Sequence, residues 1–199
     1  MATESESQPI KVVIVGDGAT GKTCLVLSYL NRSFPSEYIP TVFENHVGCF
    51  SDGETDNHIS FWDTAGQCEY GRLRPLAYQD TTVFLVCFSV ENRASFDHVS
   101  SLWLPEVRKF CGLEVPTVLV GTKTDLRVEL GGTGKNQKKD TIYVPTEEGI
   151  ALAKSEKMYT YVECSAKQSI GCDAAIRAAV EAGRNYEAPT KRNSCCTIS

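Results

Sequence analysis

The eight residues GDGATGKT at positions 16–23 follow directly on the apolar run Ile10-Lys11-Val12-Val13-Ile14-Val15. Such a run reads as a buried strand, and Gly16, Gly21, Lys22 and Thr23 satisfy the spacing G-x-x-x-x-G-K-[ST]. The residue types follow from what such a loop does. Glycines let backbone N–H groups turn inward around phosphate oxygens. The lysine meets the β/γ-phosphates, the threonine hydroxyl meets Mg²⁺, and the following helix points its N-terminus at the anion. A strand running into this loop and then into a helix commits the chain to an α/β architecture. It places Gly16, Asp17, Gly18, Ala19, Thr20, Gly21, Lys22, Thr23 and Cys24 against a nucleotide.

The remaining pattern agrees with that commitment. Near-continuous apolar stretches at 83–90 and 117–120 are the strands of a sheet covered on both faces. His58-Ile59-Ser60-Phe61-Trp62 alternates instead, as a strand nearer an edge, and it follows the turn Ser51-Asp52-Gly53-Glu54. It is expected to pair as a hairpin with residues 43–50. Helical periods occupy 22–30, 95–110, 146–157 and 171–183. In the second, Phe96, Val99, Trp103, Val107 and Phe110 share one face. In the third, Thr146-Glu147-Glu148-Gly149 reads as a capped start. Strands alternating with helices indicate a mostly parallel, mixed sheet of six strands with helices on both faces and right-handed crossovers.

The chain has 199 residues and a formal net charge of −5, which speaks against a nucleic-acid binder, for which a basic face is the usual footprint. The polar start MATESESQP lacks the apolar core of a signal peptide, Ala2 excludes N-myristoylation, and no apolar run approaches the ~20 residues of a membrane span. The nine cysteines have no repeating spacing, so reduced thiols in a cytosolic setting are expected, with Cys24, Cys87, Cys111 and Cys164 as core thiols.

Three further loops follow strands. Asp63-Thr64-Ala65-Gly66-Gln67 offers a carboxylate to hold Mg²⁺ through water, a Gly66 N–H for a γ-phosphate, and Gln67 to orient an attacking water. Thr122-Lys123-Thr124-Asp125 offers a carboxylate that can accept from guanine N1–H and the exocyclic amine, with the Lys123 stem over the base. Adenine would leave Asp125 unpaired, and a site built on such pairing discriminates by ~10⁴-fold or more. Cys164-Ser165-Ala166-Lys167 offers the Ala166 N–H to a base carbonyl. Taken singly, the second and third loops are ordinary turn or surface compositions and the fourth is weak. Four such loops at the carboxyl edge of one open α/β sheet specify guanine, phosphates and magnesium, and hence GTP.

With these motifs the chain resembles the Ras superfamily of small GTPases, and within it the Rho family, from about residue 11 to 184. YIPTVFENH (38–46) resembles a Rho-type switch I and effector loop. WDTAGQ with Trp62 and RLRPLAY (72–78) resemble its switch II, and TKTDLR carries Thr122 in the manner of the Rac-like branch. The resemblance implies a P-loop GTPase domain over 10–185, an insert region near 128–144, and flexible ends at 1–9 and 186–199. It implies that Thr41 binds Mg²⁺ and the γ-phosphate beside Thr23, that Phe34 lies against guanine, and that Tyr38 closes over the phosphates. Gly18 leaves room for Gln67 and for an arginine supplied by an activating protein. Leu126, Ser165 and Lys167 join the base site. Tyr38, Ile39, Pro40, Thr41, Val42, Phe43, Glu44, Trp62, Arg72, Leu73 and Arg74 form the effector and switch surface.

Three departures stand out. Thr122 replaces an amide that ties the base loop to the phosphate loop, so a lower affinity is expected. Cys68 stands where the family usually has an acidic residue. The insert carries Gly131-Gly132-Thr133-Gly134, and glycine costs ~1 kcal/mol per helical position, so a flexible or partly formed insert is expected.

GTP here reads as a signal. Arg72 and Arg74 are candidates for an internal arginine finger but are expected to be surface residues of switch II. Without such a finger, hydrolysis is on the order of 10⁻⁴ per second, and a partner's arginine adds up to ~10⁵-fold. Gln67, Lys22, Thr41 and Gly66 would carry the reaction. The end Cys195-Cys196-Thr197-Ile198-Ser199 forms a C-a-a-X box at Cys196 whose terminal serine favours farnesyl. Lys191, Arg192 and a palmitoylated Cys195 would supply the second membrane signal. The expected protein is a monomeric, membrane-anchored Rac/Rho-like switch on the cytoplasmic face of the plasma membrane. Its expected partners are exchange factors, activating proteins, a dissociation inhibitor, and effectors such as kinases and cytoskeletal regulators. A module that holds GTP with negligible hydrolysis is the alternative, which Gly18 and Gln67 disfavour. A metabolic P-loop kinase is disfavoured by Asp125, Gln67 and the tail.

Overall fold

The computed structural model describes residues 9–35, 41, 43–53, 55–128 and 143–186. Its centre is a six-stranded sheet in the order β2-β3-β1-β4-β5-β6. The strands are β1 (Ile10–Val15), β2 (Phe43–Ser51), β3 (Asp56–Thr64), β4 (Val83–Ser89), β5 (Thr117–Thr122) and β6 (Thr160–Glu163). β2 and β3 form the expected antiparallel hairpin, with His46 opposite Phe61, and every other pairing is parallel. The helices are α1 (Lys22–Asn31), α2 (Arg93–His98), α3 (Leu104–Cys111), α4 (Asp125–Val128), α5 (Thr146–Ser155) and α6 (Cys172–Arg184).

The period of two along β1 explains how one strand feeds two cores. Val12 and Ile14 point to the face covered by Leu25 and Val26 of α1 and Ala175, Ile176 and Ala179 of α6. Val13 and Val15 point to the opposite face, under Trp103, Leu104 and Val107. All seven residues of β4 are buried, as expected of a strand packed on both sides. The sheet thereby delivers the ends of β1, β3, β5 and β6 to one edge, where their loops meet.

Four local expectations need correction. The helical stretch 95–110 is interrupted: a π turn, Val99–Trp103, separates α2 from α3. Phe96, Val99, Trp103 and Val107 are buried, but Phe110 is exposed in the last turn with its ring edge-on to Tyr78. Thr146 does not cap α5. It is the first helical residue, after Pro145, and its hydroxyl donates to Glu163 Oε1 at 2.9 Å. Cys87 and Cys164 are core thiols, whereas Cys24 and Cys111 are only partly buried. Tyr38, Ile39, Pro40, Val42, the insert at 129–142 and the tail with Cys195 and Cys196 lie outside the described residues, as does the Cys68 side chain. No helix among the described residues is long and apolar enough to cross a membrane.

Candidate nucleotide site

The phosphate loop is shaped by what cannot be there. A Cβ on Gly16, whose φ is +142°, would lie 2.1 Å from the Cys87 carbonyl oxygen, so the strand end can pass that close only as glycine. Gly21 caps α1 in a left-handed conformation, leaving the first amides of the helix facing the loop. Lys22 is buried, and its ammonium donates to the carbonyls of Gly16 at 2.9 Å and Asp17 at 2.8 Å. Burial lowers its pKa, against the pull of nearby Asp63. An ammonium held on two loop carbonyls is poised to take phosphate oxygens as stronger, charged acceptors.

Three oxygens converge beside it. Thr23 Oγ1 lies 2.5 Å from Asp63 Oδ2 and 2.8 Å from Thr41 Oγ1, and Thr41 Oγ1 lies 3.2 Å from the same carboxylate oxygen. Asp63 is fully buried at the end of β3, and its Oδ1 has no hydrogen-bond partner. Burial raises its pKa, the hydroxyls and Lys22 only partly opposing the rise. A buried carboxylate with one orphaned oxygen, beside two hydroxyls, fits a small hard cation that takes oxygen ligands.

Gly66 presses on the loop from the other side. A Cβ there would lie 2.3 Å from Asp17 C and from Gly18 N, so no side chain can separate the two backbones. Gln67 is exposed, and a Cβ added to Gly18 would touch its Cγ at 3.7 Å. Gly18, Lys22, Thr23, Thr41, Gly66 and Gln67 thus share one small cleft.

A second cavity, about 190 Å³ and mostly apolar, continues from it and is lined by Phe34, Thr122, Lys123, Asp125, Leu126, Ala166 and Lys167 with Cys24. Asp125, at the start of α4, is buried; Ser165 Oγ donates to its Oδ1 at 2.6 Å, and Lys167 Nζ stands 4.0 Å from its Oδ2. Lys123 adopts φ +60°, and its ammonium reaches Glu91 at 2.8 Å, which stretches the aliphatic stem along the cavity. Most of the predicted phosphate-loop and base residues that are described therefore line two neighbouring cavities at the carboxyl edge of the sheet, which share Gly21 and Cys24, with Gly16, Asp17, Thr20, Asp63 and Ser165 behind their walls.

Two expectations about this region are overturned. Thr122 does tie the base loop to the phosphate loop: its hydroxyl lies 2.5 Å from the Thr20 carbonyl and 2.9 Å from that of Phe88, and a hydroxyl replaces the amide. Arg74 is not a surface residue. It is 5% exposed, forms a two-pronged pair with Glu106 at 3.0 Å, and donates to the carbonyls of Ala65 and Gln67 at 3.0 and 3.2 Å. Arg72 is exposed, as is Glu44 on the sheet edge. Sequence reading also missed Glu106, Glu91 and His98, all of which hold site residues from other elements. Separations of 32 to 81 positions leave no local signal for such pairs.

An α/β sheet with a phosphate loop, a carboxylate-and-hydroxyl cluster and a carboxylate-floored base cavity along one edge defines a guanine-nucleotide-binding P-loop protein. The Ras family model matches residues 11–185, and the chain belongs to that family. It is similar to the Ras-like GTP-binding protein RhoL of Drosophila melanogaster, 44% identical over 188 residues that cover 94% of each chain. Like other members of the family, it is a small GTPase.

Proposed function

We propose that this small GTPase belongs to the Rho family, on its Rac-like branch, and that it cycles between GDP- and GTP-bound forms to engage effectors at a membrane. The observation that carries the reading is the cleft itself, which Lys22, Thr23, Thr41, Gly66 and Gln67 line, with Asp63 bonded to Thr23 behind it, an arrangement suited to a γ-phosphate. Thr23 and Thr41, with Asp63 through water, would hold Mg²⁺, which when bound neutralises charge on the phosphate oxygens. Lys22 would bind the same oxygens, and the Gly66 N–H would read the third phosphate. Gln67 is free to turn toward an attacking water. Arg74 is committed to Glu106 and the loop carbonyls, so it does not serve as the arginine that stabilises the transition state. Slow intrinsic hydrolysis, accelerated by a partner's arginine, follows.

The Rho assignment is supported by the YIPTVFENH and RLRPLAY stretches and by the name of the similar fly protein. Phe43 and Trp62, edge-on at 5.2 Å, wall a cavity of about 320 Å³ with Leu73 and Leu76 opposite. Both leucines are more than half exposed, an arrangement suited to exchange factors, activating proteins, a dissociation inhibitor and effectors, including regulators of the actin cytoskeleton. Prenylation at Cys196, with Cys195 acylated, would place the protein on the cytoplasmic face of the plasma membrane. Single-turnover phosphate release from GTP-loaded protein, with and without a Rho-family activating domain and beside Gln67→Leu, tests the reading. Slow release accelerated at least a hundredfold by the domain and abolished by the substitution is expected. Release that no such domain accelerates would reject it in favour of a GTP-holding module.

A further inference from the structure

Asp17 stands second in the phosphate loop, and both oxygens of its carboxylate are taken by one helical segment behind it. Trp103 Nε1 donates to Oδ1 at 2.8 Å, and His98 Nδ1 lies 2.7 Å from Oδ2. An ionised carboxylate only accepts, so Nδ1 carries the proton in this contact. On an α-helix of 3.6 residues per turn, positions five apart point about 140° away from each other. The π turn Val99–Trp103 narrows that difference, since its i→i+5 bonding brings residue i+5 near the place that i+4 takes on an α-helix. It brings His98 and Trp103 onto the same carboxylate. The π turn is therefore the device that makes this two-point clasp possible.

The clasp acts on the rest of the loop through the Asp17 main chain. The Asp17 carbonyl accepts from the Lys22 ammonium at 2.8 Å and from the Thr20 hydroxyl at 2.8 Å. We propose that His98 is a positioning residue for the bound nucleotide: together with Trp103 it fixes Asp17, hence the loop and Lys22. The inference rests on the phosphate-loop reading above. The other charged groups around this contact have partners of their own. Lys22 lies on the loop carbonyls, Arg74 stacks over the Trp103 ring at 4.5 Å while paired with Glu106, and Asp97 is paired with Arg93 at 3.0 Å. Asp17 is the carboxylate that His98 faces.

Release of a fluorescent N-methylanthraniloyl-GDP from the full chain tests this in wild type, His98→Asn and His98→Ala. Asparagine can keep a hydrogen bond to Asp17, and alanine cannot. His98→Ala should release the nucleotide about 2- to 10-fold faster than wild type, with His98→Asn between the two, and thermal melting should show both variants folded. Release unchanged in His98→Ala, or alanine and asparagine variants that behave alike, would overturn the proposal. Absence of saturable binding by the wild type would instead overturn the phosphate-loop reading on which it stands.

Discussion

The phosphate loop and the segment from Gly66 to Ala77 face each other across the same cleft, yet they are built on opposite plans. The loop is held from behind by side chains of several elements: His98 and Trp103 on Asp17, and Thr122 on Thr20. The facing segment has two short 3₁₀ turns, Cys68–Tyr70 and Arg74–Ala77, whose backbone bonds are local, from Tyr70 to Gln67, Leu73 to Tyr70 and Leu76 to Leu73. Its buried side chains are Arg74, bonded to the Ala65 and Gln67 carbonyls, and Ala77 at its end, while Leu73 and Leu76 face outward. Regions with few buried apolar contacts and short-range backbone bonding open at low free-energy cost. On the proposed reading the contrast is a division of labour: one wall would bind phosphates in either nucleotide state, and the other is held loosely enough for a third phosphate to change it.

Removing the loop's cation should have the largest effect. Lys22→Met is expected to weaken GDP binding by about 2–5 kcal/mol, roughly 30- to 5,000-fold, in a fluorescence titration. Because burial already lowers the Lys22 pKa, the nucleotide-free protein should not lose thermal stability. A variant that binds GDP normally would break the comparison on the loop side. Next comes the tether. Arg74→Met strands Glu106 and uncovers the Ala65 and Gln67 carbonyls, which should cost about 3 kcal/mol in chemical denaturation and slow single-turnover hydrolysis. Adding Glu106→Gln should recover part of the stability and none of the hydrolysis, since the two carbonyls still lack their donor. Full recovery of both would show that Arg74 only balances a charge. A smaller effect is expected at Thr122→Val, where the Thr20 carbonyl loses its donor. About 1–2 kcal/mol, or 5- to 30-fold faster GDP release in a displacement assay, is the expected outcome, with Gln67-dependent chemistry unchanged.

Whatever is local in chain chemistry could be read before the fold was known. GDGATGKT needs its glycines within eight residues, and Asp63 to Gln67 follow a strand whose alternation is plain, so the loops, the hairpin and the mostly parallel sheet were legible. Features that depend on distant partners were not. Arg74 looks like a surface arginine until Glu106, on another helix, is brought to it. Thr122 looks like a lost amide until its hydroxyl is seen beside Thr20. The π turn escaped because Phe96, Val99, Trp103 and Val107 keep an α-helical spacing through it; only Phe110, one turn on, departs from the face. His98 carried no sequence signal at all, being a polar residue on the outer side of an amphipathic stretch.

The division of labour can be measured at the backbone. Hydrogen exchange would be followed by mass spectrometry on Mg²⁺-bound protein loaded with GDP or with a non-hydrolysable GTP analogue, comparing residues 16–23 with residues 66–77. The account predicts equal, strong protection of the phosphate loop in both states and a marked gain of protection at 66–77 with the third phosphate. Equal protection of 66–77 in the two states, or a larger change in the loop than in the facing segment, would contradict it.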